Sequence, residues 1–165
     1  MADIRQDLAR PHKFAHERVG FMTARAAAGR DHIVILAEEY FPVSDDDYLP
    51  DRFVGARINQ EAIRKALELA LLRKASVFHV HMHLLPAKRL WFSYTDLEDQ
   101  DRLIPDFRSI RPEMPHGAIV LSPKSAAGRV WIDGNGGRPI AEFNIVGRTL
   151  EVILAGPVGD TAYDG

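Results

Sequence analysis

Three histidines alternate along one short segment, residues 76–85, which reads SVFHVHMHLL. His79, His81 and His83 are two residues apart, and in a β-strand this spacing puts all three imidazoles on one face. Core packing explains such a cluster poorly, because grouped histidines usually serve as metal ligands, acid–base groups or nucleophiles. The pattern therefore favours a metal site or a nucleophilic histidine over a solvent-facing polar stripe.

A second group of polar residues lies downstream of the histidine strand. Ser93 and Asp96 could simply begin a helix, and Thr95 with Glu98 three residues later has the spacing of a capping box. Beside a His-x-His strand, however, a carboxylate at a helix start can complete a tetrahedral zinc site whose fourth position stays open to water. In that case we expect Asp96 to bind the metal and Thr95 to cap the helix.

Glu17 lies immediately upstream of an apolar segment, RVGFMTAR. A catalytic zinc requires a base that takes a proton from water, and a glutamate can perform this role. A single glutamate in such a position is nevertheless most often a solvated charge. Glu17 is therefore a candidate base whose role the local pattern leaves open.

Apolar periodicity and turn residues predict the elements that must position these groups. Their order, β-β-α-β-α-β-β-β, predicts an α/β (α+β) domain with a mixed sheet and helices packed against it. The predicted elements are a hairpin of strands at 18–25 and 32–40, a long loop at 42–58, a helix from its N-cap Asn59 to 73–74, the histidine strand at 76–85, a helix at 94–103 that is broken up by Pro105 and Pro112, strands at 117–121 and 129–132, and a last strand pair around 139–154.

The length of 165 residues suits one ordinary domain. We expect a polar lead-in at 1–11, the domain at 12–155 and a C-terminal tail at 156–165. Hydrophobic residues make up 46% of the chain and charged residues 27%, which is typical of a globular domain with a sizeable core.

Composition excludes several classes of function. The formal net charge is −2 and the basic residues are scattered, so we expect neither nucleic acid nor a membrane as a partner. The absence of cysteine excludes disulfides, cysteine zinc sites and a thiol nucleophile. The sequence shows no secretory signal and no run near the ~20 apolar residues of a membrane span, so a cytoplasmic location is expected.

Three short motifs together resemble the pattern of the JAMM (JAB/MPN-type) zinc metalloproteases. In that family a glutamate before the first strand is followed by His-x-His-x7-Ser-x-x-Asp. The matching motifs here are Glu17-x-x-Gly20, His81-x-His83 and Ser93-x-x-Asp96. The resemblance covers roughly residues 12–133. The segments 42–48 and 116–131 and the helix before the histidine strand are similar to those of bacterial, deubiquitinase-like members.

The resemblance implies an MPN/JAB-type fold and hydrolysis of an amide or isopeptide bond by a zinc-bound water, with one zinc per chain. The implied substrate is a ubiquitin-like protein or its conjugates, as in a bacterial ubiquitin-like conjugation pathway. The implied roles are zinc ligation by His81, His83 and Asp96, general-base catalysis by Glu17, and hydrogen bonding to the oxyanion or to the zinc-bound water by Ser93. His79 would support a ligand through a hydrogen bond or be a buried histidine.

The chain departs from the family pattern beside the expected metal. Nine residues, 84–92, separate His83 from Ser93, where the family has seven, and Leu84 stands where the family has proline. Both departures indicate an altered loop. We expect this segment and the loop at 42–58 to flank the cleft and to hold an extended C-terminal tail of the substrate.

Two other interpretations remain open. The strand also matches the His-φ-His-φ-His-φ-φ pattern of the histidine-triad (HIT) nucleotide hydrolases and transferases, in which His81 would attack a phosphate without a metal. That interpretation gives Glu17, Ser93 and Asp96 no role. In that family the strand also lies near the end of the domain, whereas about half of this chain follows it. The third interpretation is an inactive MPN-type scaffold, although such scaffolds usually lose a ligand.

Overall fold

A computed structural model of the chain describes residues 1–51, 55–84, 90–134 and 136–155. Over these residues it contains helices α1 (Ala2–Leu8), α2 (Gln60–Arg73) and α3 (Tyr94–Ile110), and strands β1 (Val19–Ala28), β2 (Ile33–Pro42), β3 (Ser76–Met82), β4 (His116–Leu121), β5 (Ala126–Trp131), β6 (Arg138–Pro139), β7 (Glu142–Val146) and β8 (Leu150–Leu154). A short 3₁₀ turn, Asp45–Asp47, lies in the long loop.

Six strands form one mixed sheet in the order β2-β1-β3-β4-β5-β6, and β7 pairs with β8 separately. Neighbours in the large sheet are antiparallel except β3 and β4, which are parallel. Because a parallel pair requires a crossover, α3 lies between β3 and β4 in the chain. The predicted α+β class is confirmed.

Helices α2 and α3 cover one face of the large sheet. Three alanines of α2, at positions 62, 66 and 70, are almost fully buried, and α3 adds Leu103, Ile104 and Phe107 to the same core. The opposite face packs against α1 and the β7–β8 pair, which contribute Leu8 and Ile153. The sheet is therefore covered on both faces.

The predicted hairpin and the predicted helix after the long loop are both present. The helix begins as expected, because the Asn59 side chain accepts a hydrogen bond from the Ala62 amide. The prediction that Pro105 breaks up the second helix is wrong, because α3 continues to Ile110 with Pro105 inside it. Burial of Ile104 and Phe107 on either side of the proline outweighs the loss of one backbone hydrogen bond.

Residues predicted as a polar lead-in include helix α1. Its Leu8 is only 1% exposed and packs with Ile4 against the sheet. Arg5 Nε donates a hydrogen bond to the carbonyl of Ser122 at 2.9 Å, which fixes the helix to the turn after β4. The predicted tail at 156–165 lies outside the described residues. Within the described ranges, no helix is long and apolar enough to cross a membrane.

Gly20 in β1 has a steric role that explains its residue type. A Cβ atom at this position would lie 2.5 Å from both Cε2 and Cζ of Tyr40, whose hydroxyl donates to Asp7 Oδ2 at 2.9 Å. The tyrosine ring therefore lies across the glycine and links β2 to the end of α1.

We expect Gly20→Ala to lower the free energy of unfolding by about 1–3 kcal/mol, because the added methyl group overpacks a buried contact. Urea unfolding of the variant and of Gly134→Ala measures this effect. Gly134 is a suitable control because, apart from Gly134 and its two chain neighbours, no described atom lies within 4 Å of the position that its added methyl group would occupy. Equal stability of Gly20→Ala and the wild type would show that the ring moves aside without cost.

Candidate metal centre

Four side chains converge at one end of β3. Glu17, His81, His83 and Asp96 each offer one ligand atom, and these four atoms all lie within 4.8 Å of one another. The Nε2 atoms of His81 and His83 lie 3.3 Å from Oδ1 and Oδ2 of Asp96, respectively. His83 Nε2 also lies 3.8 Å from Glu17 Oε1. These are the base and the three metal ligands that the family resemblance implies.

The strand register explains why Glu17 reaches the histidines. Strands β1 and β3 are antiparallel, and Val19 pairs with His81. Continuing that register by two residues in each direction places Glu17 opposite His83. Asp96 is contributed by a different element, α3, which follows β3 in the chain and has Asp96 in its first turn.

The burial of His81 gives the clearest sign that this group of side chains suits a metal ion. The residue is 1% exposed, and neither of its ring nitrogens makes a hydrogen bond with acceptable geometry in the described part of the chain. Buried polar atoms without partners are rare, because each loses its hydration without compensation. A cation between His81 Nε2 and the nearby Asp96 carboxylate would satisfy both groups, so the residues present fit a metal.

The electrostatics of the group also favour a cation. Burial raises the pKa of Asp96, but the two facing imidazoles outweigh this effect and hold its pKa well below the usual range. The Asp96 carboxylate raises the pKa of His83, and burial raises the pKa of Glu17. Two imidazoles and one ionised carboxylate form a ligand set that zinc uses in catalytic sites.

Asp96 both begins a helix and faces the histidines. Its Oδ2 accepts a hydrogen bond from the Ser93 amide at 2.6 Å, while Ser93 Oγ accepts one from the Asp96 amide at 3.2 Å. The expectation that Thr95 caps the helix and Asp96 does not is therefore wrong. A carboxylate has two oxygens, so Oδ1 remains directed at His81 while Oδ2 completes the capping box.

Ser93 remains able to donate a hydrogen bond despite its capping role. Its hydroxyl oxygen accepts from the Asp96 amide, which leaves the hydroxyl hydrogen free to point elsewhere. Its place beside Asp96 at the start of α3 is where the resemblance implies a donor to the oxyanion.

His79 lies on the same strand face but outside the group of four. Its ring centroid lies 5.6 Å from those of Phe21 and His81, and it is stacked on the latter. Burial, together with neighbouring His81, lowers the pKa of His79 to about 3, so the ring is neutral at physiological pH. Its surroundings are those of a packed aromatic residue.

The long loop at 42–58 also contributes to the site, through a residue that the sequence did not single out. The carbonyl of Gly55 accepts hydrogen bonds from the amides of His16 and Glu17. The only signal in the sequence is a glycine in a loop rich in proline and aspartate. Residues 52–54 of this loop and 85–89 of the other predicted flanking segment lie outside the described residues.

Known family models and curated proteins add no relative. No known family model matches the sequence, and no curated protein matches it significantly. The chain thus has a group of four side chains that can hold a metal ion, which is compatible with a metal-dependent hydrolase. The resemblance to the JAMM family stays a prediction that depends on the motifs and on this geometry.

Proposed function

We propose that this protein is a zinc metalloprotease of the JAMM type that hydrolyses an amide or isopeptide bond. One observation supports the proposal most strongly. Glu17 comes from upstream of β1 and Asp96 from α3, and both carboxylates meet the imidazoles of His81 and His83. A solvated glutamate and a simple helix cap would have no reason to converge on two histidines.

Each site residue has a separate role in the proposed reaction. His81, His83 and Asp96 hold the zinc, which when bound polarises the scissile carbonyl and lowers the pKa of water. Glu17 takes a proton from the attacking water and then delivers it to the departing amine nitrogen. Ser93 donates its free hydroxyl hydrogen to the oxygen on which negative charge develops.

The proposed substrate is the C-terminal tail of a ubiquitin-like protein, or its conjugate, in the cytoplasm of a bacterium. Exposed apolar side chains adjoin the site residues in the chain, as an extended tail with apolar residues requires. They are Phe14 near Glu17, Leu84 after His83, Tyr94 after Ser93, and Leu49 in the loop that contains Gly55.

The proposal is tested by incubating the zinc-loaded protein with a ubiquitin-like protein joined to lysine through an isopeptide bond. Release of the free ubiquitin-like protein that stops on chelation and returns with zinc is the expected result. Turnover of a nucleotide phosphoramidate that survives chelation would instead support the histidine-triad mechanism. Zinc binding without any hydrolysis would support the inactive scaffold.

His79→Phe distinguishes the two enzyme mechanisms. We expect this variant to lose less than about tenfold in amide hydrolysis, below the range for residues that hydrogen-bond a metal ligand, because phenylalanine keeps the ring packing on Phe21 and His81. In a histidine triad the same change removes one of the three working imidazoles. Steady-state kinetics of His79→Phe and His79→Ala measure the effect, and near-complete loss in both variants would contradict the metalloprotease proposal.

A further inference from the structure

We infer that Gly55 is a positioning residue that holds the Glu17 carboxylate against the metal ligands; this inference rests on the proposed function. Gly55 lies in the long loop between β2 and α2. Its carbonyl accepts hydrogen bonds from the His16 amide at 2.8 Å and from the Glu17 amide at 2.9 Å. The loop therefore fixes the backbone from which Glu17 projects.

The absence of a side chain at Gly55 leaves the space that the Glu17 carboxylate occupies. A Cβ atom at this position would lie 2.5 Å from Oε2, 2.8 Å from Cδ and 3.2 Å from Cγ of Glu17, and these are its three nearest heavy atoms. The Glu17 side chain thus lies flat against the α-carbon of Gly55. Its other carboxylate oxygen, Oε1, faces His83 Nε2 at 3.8 Å. The Glu17 carboxylate therefore lies between Gly55 and His83.

Space, and not backbone conformation, is the reason for a glycine here. Among the described glycines, only Gly136 has a positive φ, so alanine can adopt the backbone conformation of Gly55 without strain. The atoms that a methyl group would meet belong to the flexible end of one side chain. The fold can therefore accept Gly55→Ala if the Glu17 side chain turns away from residue 55 into another rotamer, at little cost in stability.

In a Gly55→Ala variant, catalysis should be lost while folding and metal binding are kept. We expect Gly55→Ala to lower kcat for amide hydrolysis by at least about tenfold, a part of the 10²–10⁴-fold that a general base supplies. The melting temperature and the zinc content should match those of the wild type. A crystal structure of the zinc-loaded variant should show the Glu17 carboxylate displaced from His83.

A double-mutant cycle tests whether Gly55 acts through Glu17. Groups that act through one another have non-additive effects, so Gly55→Ala should cause no further loss in a Glu17→Ala background under single-turnover conditions. An equal factor of loss in both backgrounds, or an undisplaced carboxylate in the crystal structure of Gly55→Ala, would overturn the inference. If the wild type hydrolyses no amide, the proposed function fails, and the position of the carboxylate still decides the role of Gly55.

Discussion

Replacing Glu17 with glutamine is expected to reduce amide hydrolysis by about 10²–10⁴-fold, the range that general-base catalysis typically contributes. Glutamine keeps the size of the side chain and its hydrogen-bonding oxygen, but it cannot accept the proton of the attacking water. The metal should remain bound, because His81, His83 and Asp96 are unchanged. Measuring kcat/KM and zinc content on the same preparation tests both statements.

Glu98→Gln is the matched control for the loss of a carboxylate. Glu98 is exposed on the first half of α3 and does not belong to the group of four. We expect this variant to keep wild-type activity. A loss of less than tenfold in Glu17→Gln, or an equal loss in the control, would mean that Glu17 is not the base.

Replacing Asp96 with alanine is expected to remove zinc and activity together. With only three protein ligands, the loss of one carboxylate leaves two imidazoles, which form a poor zinc site. The change also removes the Oδ2 acceptor of the capping box, at a further cost of about 1 kcal/mol in stability. Zinc titration of the metal-free variant measures the first effect and urea unfolding the second.

Asp96→Asn separates metal binding from helix capping. The asparagine oxygen can still accept the hydrogen bond from the Ser93 amide, but the side chain has lost the negative charge that the metal requires. This variant should keep the helix cap, lose only the pairing of the carboxylate with His81 and His83 in the metal-free protein, and bind zinc far more weakly. Full zinc occupancy in Asp96→Ala would place the third ligand elsewhere, and His79 would be the first residue to test.

Local patterns predicted most of the fold. The hairpin β1–β2 and the start of α2 depend on alternation and on the N-cap Asn59, which are properties of adjacent residues. The full length of α3 was not predictable, because burial of Phe107 against the sheet overrides the local preference of Pro105 to end a helix. Helix α1 was missed because its few apolar residues, such as Leu8, gain stability only from a surface that the rest of the chain builds.

The candidate site was predictable to the extent that chemistry limits residue types. The alternation of the histidines placed His81 and His83 on one face, and the helix start placed a carboxylate at Asp96. The pairing of Glu17 with His83 depends on β1 lying next to β3, which a single sequence does not specify. The role of Gly55 depends on where a long loop returns, and loop paths follow tertiary contacts that no local pattern encodes.

Metal content tests the central claim most directly, because every proposed role depends on a zinc held by His81, His83 and Asp96. The purified wild-type protein should contain about one zinc per chain, and the metal-free protein should take up one equivalent on titration. His81→Ala should take up almost none, while His79→Phe should bind like the wild type. A wild-type protein that binds no zinc, or a His81→Ala variant that binds it fully, would contradict the metal centre described here.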